Sequence, residues 1–137
     1  MLRKNNVNEA SKGEVEGSRS PNSSPLVITL PIRIQSRNVL DRQHWAVKRK
    51  DKKMYSLLVR NQMRLHKIPL ADPKKYKISI ISMRKKQLDY DNLVGGCKYL
   101  IDALIDEQFI FDDSPKFLDI NITQVISNEY STIISRI

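Results

Sequence analysis

Hydrophobic and polar positions alternate with two different periods along this chain. Leu26-Val27-Ile28-Thr29-Leu30 is short and β-rich, and it predicts a strand that opens the ordered part of the protein. Arg33 to Leu40 reads as a loop. A long helix is expected from about Asp41, a suitable N-cap, to His66, with Pro69 closing it. At about 100° per residue, with Val47 at zero, Met54, Leu58 and Leu65 fall within about 20° and Leu57 within about 80°. That stripe predicts the buried face. Arg49, Lys52, Lys53, Arg60, Arg64 and Lys67 fall between about 140° and 260°, on the opposite side.

Further on, Lys77-Ile78-Ser79-Ile80-Ile81-Ser82-Met83 predicts a second strand and about Asp91 to Gln108 a second helix. Leu118, Ile120 and Ile122 alternate with Asp119, Asn121 and Thr123, the mark of a half-buried strand. Ser131 to Ile137 predicts the last strand, after a turn around Asn128. The order β-α-β-α-β-β points to an α/β (α+β) domain: a small mixed β-sheet with two main helices packed on it. Residues 1–24 are rich in Ser, Asn, Lys and Glu, cannot bury enough apolar surface to fold, and are expected to be a flexible tail before a domain over 25–137.

Composition narrows the class. With 137 residues and 40% hydrophobic positions, the chain has one domain's worth of core. A single cysteine, Cys97, excludes an intramolecular disulfide. Met1 to Asn8 has no apolar signal-peptide core and no apolar run approaches about 20 residues, so a cytoplasmic protein with no membrane partner is expected.

Charge changes the picture more. The net charge is +9, but residues 31–86 hold 17 Lys or Arg against 3 acids, while residues 87–137 hold 3 against 9. A basic half is the electrostatic footprint of a nucleic-acid binder. A helix with six like charges on one face repels itself, and a polyanion laid along it offsets that cost; the alternative is a solvated back. Arg84-Lys85-Lys86 adds three cations just before the acidic stretch, and completes the expected DNA-binding set. The basic stretch lacks a continuous apolar face suited to a membrane surface.

The acids gather at Asp89-Tyr90-Asp91 and at Asp112-Asp113. If the chain is extended at the first pair, Asp89 and Asp91 point to one side. Counting along the second helix from Asp91, Lys98 and Asp102 return to the same face, while Leu93, Cys97, Leu100, Ile101 and Leu104 form the opposite, buried stripe. A turn after Phe109-Ile110-Phe111 could bring Asp112-Asp113 back to the start of that helix. Several converging carboxylates repel one another unless a cation joins them, and oxygen donors suit Mg²⁺, with Mn²⁺ as a substitute. Such a metal activates water for phosphodiester cleavage, and Lys98 would neutralise charge on the phosphoryl oxygens. Gly95 and Gly96 weaken the helix by about 1–2 kcal/mol, which implies either a close approach there by a backbone or a ligand, or tight helix–sheet packing at Gly96. Zinc does not fit: besides Cys97 only His44 and His66 are available, six turns apart.

Asp89-Tyr90-Asp91-Asn92-Leu93, Lys98-Tyr99-Leu100-Ile101-Asp102-Ala103-Leu104 and Asp112-Asp113-Ser114 together resemble the RusA family of Holliday junction resolvases. That family carries D-x-D-N-L, a helix with K-x-x-x-D-A-L, and a D-D pair about ten residues on. Asn38 and His44-Trp45, followed by basic residues, are similar to its upstream region. The resemblance covers roughly residues 26–137. It implies a RusA-like, homodimeric, Mg²⁺-dependent endodeoxyribonuclease that resolves four-way DNA junctions by paired cleavage in recombination and repair. Asp89, Asp91 and Asp113 match the metal-binding aspartates and Lys98 the catalytic lysine, with Asn92, Asp102 and Asp112 as site support. The chain departs from some members by three extra residues, Val94-Gly95-Gly96, which move Lys98 about 4.5 Å along the helix axis. Two alternatives stand beside this reading: a non-catalytic branched-DNA binder on the same fold, and a broader flap or branch nuclease.

Overall fold

The computed structural model describes residues 25–137, so the tail expected over 1–24 lies outside the described residues. Four strands form one mixed sheet in the order β1-β4-β2-β3: β1 (Leu26–Leu30), β2 (Tyr76–Arg84), β3 (Leu118–Ile126) and β4 (Ser131–Arg136). β4 pairs antiparallel with β1 and with β2, whereas β2 and β3 run parallel. A parallel pair needs a crossover, here the helices α3 (Tyr90–Gly96) and α4 (Lys98–Asp106). The other helices, α1 (Arg37–Arg42) and α2 (Trp45–Leu65), come between β1 and β2.

Alternation fixes which face is buried. One register row crosses all four strands as Ile28, Ile134, Ile80 and Ile122, and all four are buried. These β-branched side chains meet Tyr55, Val59 and Met63 of α2 and Leu100, Ala103 and Leu104 of α4 in a single core. The opposite face of the sheet carries Val27, Thr29, Ser79, Ile81, Ile133, Asn121 and Thr123, all partly or largely exposed. The architecture is α+β, with the four strands at the expected places.

The helices differ from expectation in three ways. Asp41 does not cap the long helix, because the helical region is broken. Ser36 caps α1 by accepting a hydrogen bond at Oγ from the Val39 N–H (3.3 Å), and His44 caps α2 by accepting at Nδ1 from the Ala46 N–H (3.1 Å). The segment expected as loop up to Leu40 is therefore helical from Arg37. Second, the buried stripe of α2 is Tyr55, Val59 and Met63, while Val47, Met54, Leu57 and Leu65 remain 41–69% exposed. Positions four apart lie nearly in line along a helix, so α2 has two apolar stripes about 120° apart and only one can face the sheet. Third, the helix expected over 91–108 is interrupted at Cys97, whose ψ of 0° departs from the helical value.

The end of α2 matches expectation. Lys67 takes a positive φ of 53° and the Ile68 N–H returns to the Met63 carbonyl (2.9 Å), closing the helix ahead of Pro69. No helix of the described residues is long and apolar enough to cross a membrane.

Burial holds two acidic protons in this core. The Cys97 thiol is pushed up from 9.0 to about 12 and the Tyr55 hydroxyl from 10.0 to about 12, desolvation being the largest cause in both. Both groups stay neutral when folded but ionise earlier when unfolded, so the native state binds more protons above pH 9. Stability should hold up to about pH 9 and fall steadily towards pH 12. Urea midpoints measured at pH 8, 10 and 11 check this, and Cys97 should resist a thiol reagent at pH 8 until urea unfolds the chain.

Candidate functional site

A cleft of about 460 Å³ opens between the start of α2, α1 and the α3–α4 crossover. Its charged lining is Arg37, Asp41, Lys48 and Lys52 on one side and Lys98 and Asp102 on the other, with Asp113 from the turn before β3. Val94, Gly95, Tyr99, Leu40 and Ile101 complete it.

α2 builds one wall by running past the core. Lys48, Lys52, Tyr55, Val59 and Met63 recur every three or four residues, so they share one broad face. The last three are buried, while the two lysines overhang the cleft. Lys52 lies with Nζ 5.4 Å from the centre of the Tyr99 ring, a contact across the cleft floor. Behind it, Gln43 donates to Asp51 Oδ2 (3.0 Å) and accepts from the Tyr99 hydroxyl (3.5 Å), tying the α1–α2 junction to α4.

The α1 wall is set by a backbone contact. A methyl group built on Gly96 would overlap the carbonyl oxygen of Gln35, two residues before α1. The close approach implied by the glycine pair is therefore made by the protein's own backbone at Gly96. Gly95 faces only the Arg37 side chain.

Buried polar side chains hold the remaining loops. Arg84, buried at the end of β2, donates from Nη1 to the Ile34 carbonyl (2.6 Å) and from Nε to the Lys86 carbonyl (2.7 Å). Arg136, buried at the end of β4, donates to the Phe109 carbonyl (2.8 Å) and the Pro69 carbonyl (3.3 Å). Desolvation lowers the pKa of both guanidiniums, foremost among the causes. Gln124 pairs with the Leu88 backbone in both directions, accepting from its N–H (3.0 Å) and donating to its carbonyl (2.7 Å). Leu88 directly precedes Asp89, so this clamp sets where the acidic stretch begins.

The structure brings Lys98, Asp102 and Asp113 together at the cleft, and Lys98 Nζ lies 3.6 Å from Asp102 Oδ2. Asp89 and Asp91 do not line it. Asp89 is the extended residue before α3, whereas Asp91 already lies in its first turn, so the extended spacing assumed for the pair does not hold. Asp89 Oδ1 accepts from Asn92 Nδ2 (2.7 Å). The face shared by Asp91, Lys98 and Asp102 also fails at Asp91, because the break at Cys97 interrupts the 100° count. Asp112 is half-buried and does not line the cleft, and Asn38 is exposed. Among the described residues, no three His, Cys, Asp or Glu side chains are grouped closely enough to hold a metal ion.

The expected DNA-binding set divides. Arg84 does not belong to it: its guanidinium is buried and spent on loop carbonyls. Arg60 forms a two-pronged bridge to Glu107 (2.8 and 3.1 Å), which fastens α2 to the end of α4 and neutralises its charge. Lys52 lines the cleft, Lys53 an adjoining groove, and Arg64 and Lys67 a separate hollow near the far end of α2. Arg49 covers the exposed Trp45 ring, while Lys85 is exposed beside Tyr130 and Lys86 is exposed nearby. Arg37, Asp41 and Lys48 are cleft residues that periodicity did not reveal; the signals were the helix caps ahead of them, Ser36 before α1 and His44 before α2.

The Gly96 contact gives a direct test. Gly96→Ala should destabilise the protein by more than about 2 kcal/mol, since a backbone carbonyl must move. Gly95→Ala should stay within about 1 kcal/mol of the parent, because the Arg37 side chain can yield and alanine favours the helix. Urea unfolding of the two variants side by side checks the difference. No family model matches this chain, and no curated protein is similar enough to carry a function across to it.

Proposed function

We propose that this protein is a Mg²⁺-dependent endodeoxyribonuclease that cuts branched DNA, with the four-way junction as its substrate, as the resemblance to RusA resolvases implies. The observation that carries the reading is the cleft. Lys98 and Asp102 from the K-x-x-x-D helix and Asp113 of the D-D pair line it, opposite a wall of Lys48, Lys52 and Arg37, the last paired to Asp41 at 3.5 Å. Cations on one side would hold the phosphate backbone while Lys98 neutralises charge developing on the phosphoryl oxygens. The resemblance implies that Asp89, Asp91 and Asp113 would hold Mg²⁺, whose preferred donors are such oxygens; Asp113 lines the cleft while Asp89 and Asp91 do not, so the three would have to draw together around the ion. Held there, the ion would supply Lewis-acid chemistry for phosphodiester hydrolysis. The reading includes a homodimer, for which Val47, Met54, Leu57 and Leu65 on α2 offer an exposed apolar surface.

A second reading has its own observation. Asp89 and Asp91 do not line the cleft with Asp102 and Asp113, and the absence of a grouped carboxylate set among the described residues favours a branched-DNA binder that does not cut. Incubating the protein with a mobile four-way junction, with and without Mg²⁺, separates the two. Paired nicks that require Mg²⁺ are expected. Junction binding with no metal-dependent cleavage would leave the binder. Forks, flaps and plain duplex in the same assay test the broader branch-nuclease alternative.

Asp91→Asn is the sharper probe. It should lower the cleavage rate by more than about 100-fold, as losses around a metal site do. Junction affinity should be kept or raised, because a negative charge near phosphates is gone. Loss of binding together with cleavage would make Asp91 a structural residue instead.

A further inference from the structure

Trp45 opens α2 and is 62% exposed. Tryptophan is usually highly buried, and an indole left in water forgoes the stabilisation of burying a large apolar surface. Its immediate company is cationic and aromatic. The Arg49 guanidinium carbon stands 4.8 Å from the centre of the Trp45 ring, and the His44 ring lies at 5.4 Å, tilted by 35°. From Arg42 to Lys53 the chain carries Arg42, Lys48, Arg49, Lys50, Lys52 and Lys53 against one acid, Asp51, which is itself bonded to Gln43. Lys48 lies one turn beyond Trp45 and lines the cleft.

An exposed aromatic ring set among cations is the pairing that single-stranded nucleic acid uses. Cations follow the phosphates, and the ring offers a stacking platform to a base. A paired and stacked duplex presents phosphates and groove edges, to which an indole face adds little. We infer that Trp45, braced by Arg49, stacks on an unpaired DNA base beside the cleft, so that DNA with unstacked bases is preferred over continuous duplex. The inference rests on the proposed function only in taking DNA as the partner.

Trp45 is the single tryptophan of the chain, so its fluorescence reports this position alone. The full chain is titrated, in chelator without Mg²⁺, with a fork bearing unpaired thymidine arms and with a duplex of equal length. Anisotropy of a dye on the DNA follows binding in parallel. The fork should quench the tryptophan as it binds, while the duplex leaves its emission nearly unchanged. Trp45→Ala should weaken fork binding by about tenfold more than duplex binding, with Trp45→Phe in between. Fork binding without quenching, equal quenching by duplex, or no DNA binding would each overturn the inference. So would a Trp45→Ala variant that loses self-association in sedimentation but keeps its fork affinity, since a second copy would then cover the indole. Quenching without Mg²⁺-dependent cleavage would sink the nuclease reading alone; cleavage without quenching would sink this one alone.

Discussion

The cleft depends on polar side chains buried under the loops that frame it. A guanidinium out of water is costly unless its donors are satisfied, and Arg84 and Arg136 satisfy theirs on backbone carbonyls. Each such bond also quiets a carbonyl that would otherwise lack a partner. Arg84 holds the segment leading into α1 together with the one leading towards the acidic stretch. Arg136 holds Phe109, at the start of the segment that leads to Asp113. Gln124 performs the same service for Leu88. The sheet thus positions the cleft through strand-end side chains as well as through apolar packing.

This dual use of charge explains why the basic half of the chain could not be taken as one surface. Arg84 is adjacent in sequence to Lys85 and Lys86, yet it is internal and they are exposed. Arg60 sits among lysines but is matched to Glu107. A count of cations measures the field around a protein; which of them meets a phosphate depends on what each already holds.

Legibility followed the range of the interactions. The strands were readable because β-branched alternation is local and the sheet left one face covered and one open. Lys98 and Asp102 were readable as neighbours because four residues within one unbroken helix fix their relation. Asp91 was not, since Cys97 intervenes and angles cannot be carried across a break. The buried face of α2 was missed for a different reason. Tyr55, Val59 and Met63 form as regular a stripe as the aliphatic one chosen, and the choice between stripes is made by the sheet and by Tyr99, not by the helix. The contact of Gln35 with Gly96 joins residues far apart in sequence, so the glycine pair signalled a close approach without naming its partner.

The parallel pairing of β2 with β3 has a consequence for how this protein comes into being. Asp89, Lys98, Asp102 and Asp113 all lie on the crossover between Arg84 and Leu118. Parallel strands cannot zip outward from a tight turn; the whole connection must be gathered before their ladder forms, and such non-local closure is slow. Lys98, Asp102 and Asp113 therefore reach Lys48 and Lys52 only when this crossover has been gathered. A nascent or partly folded chain would carry the cationic segment of α2 before the cleft beside it has been assembled.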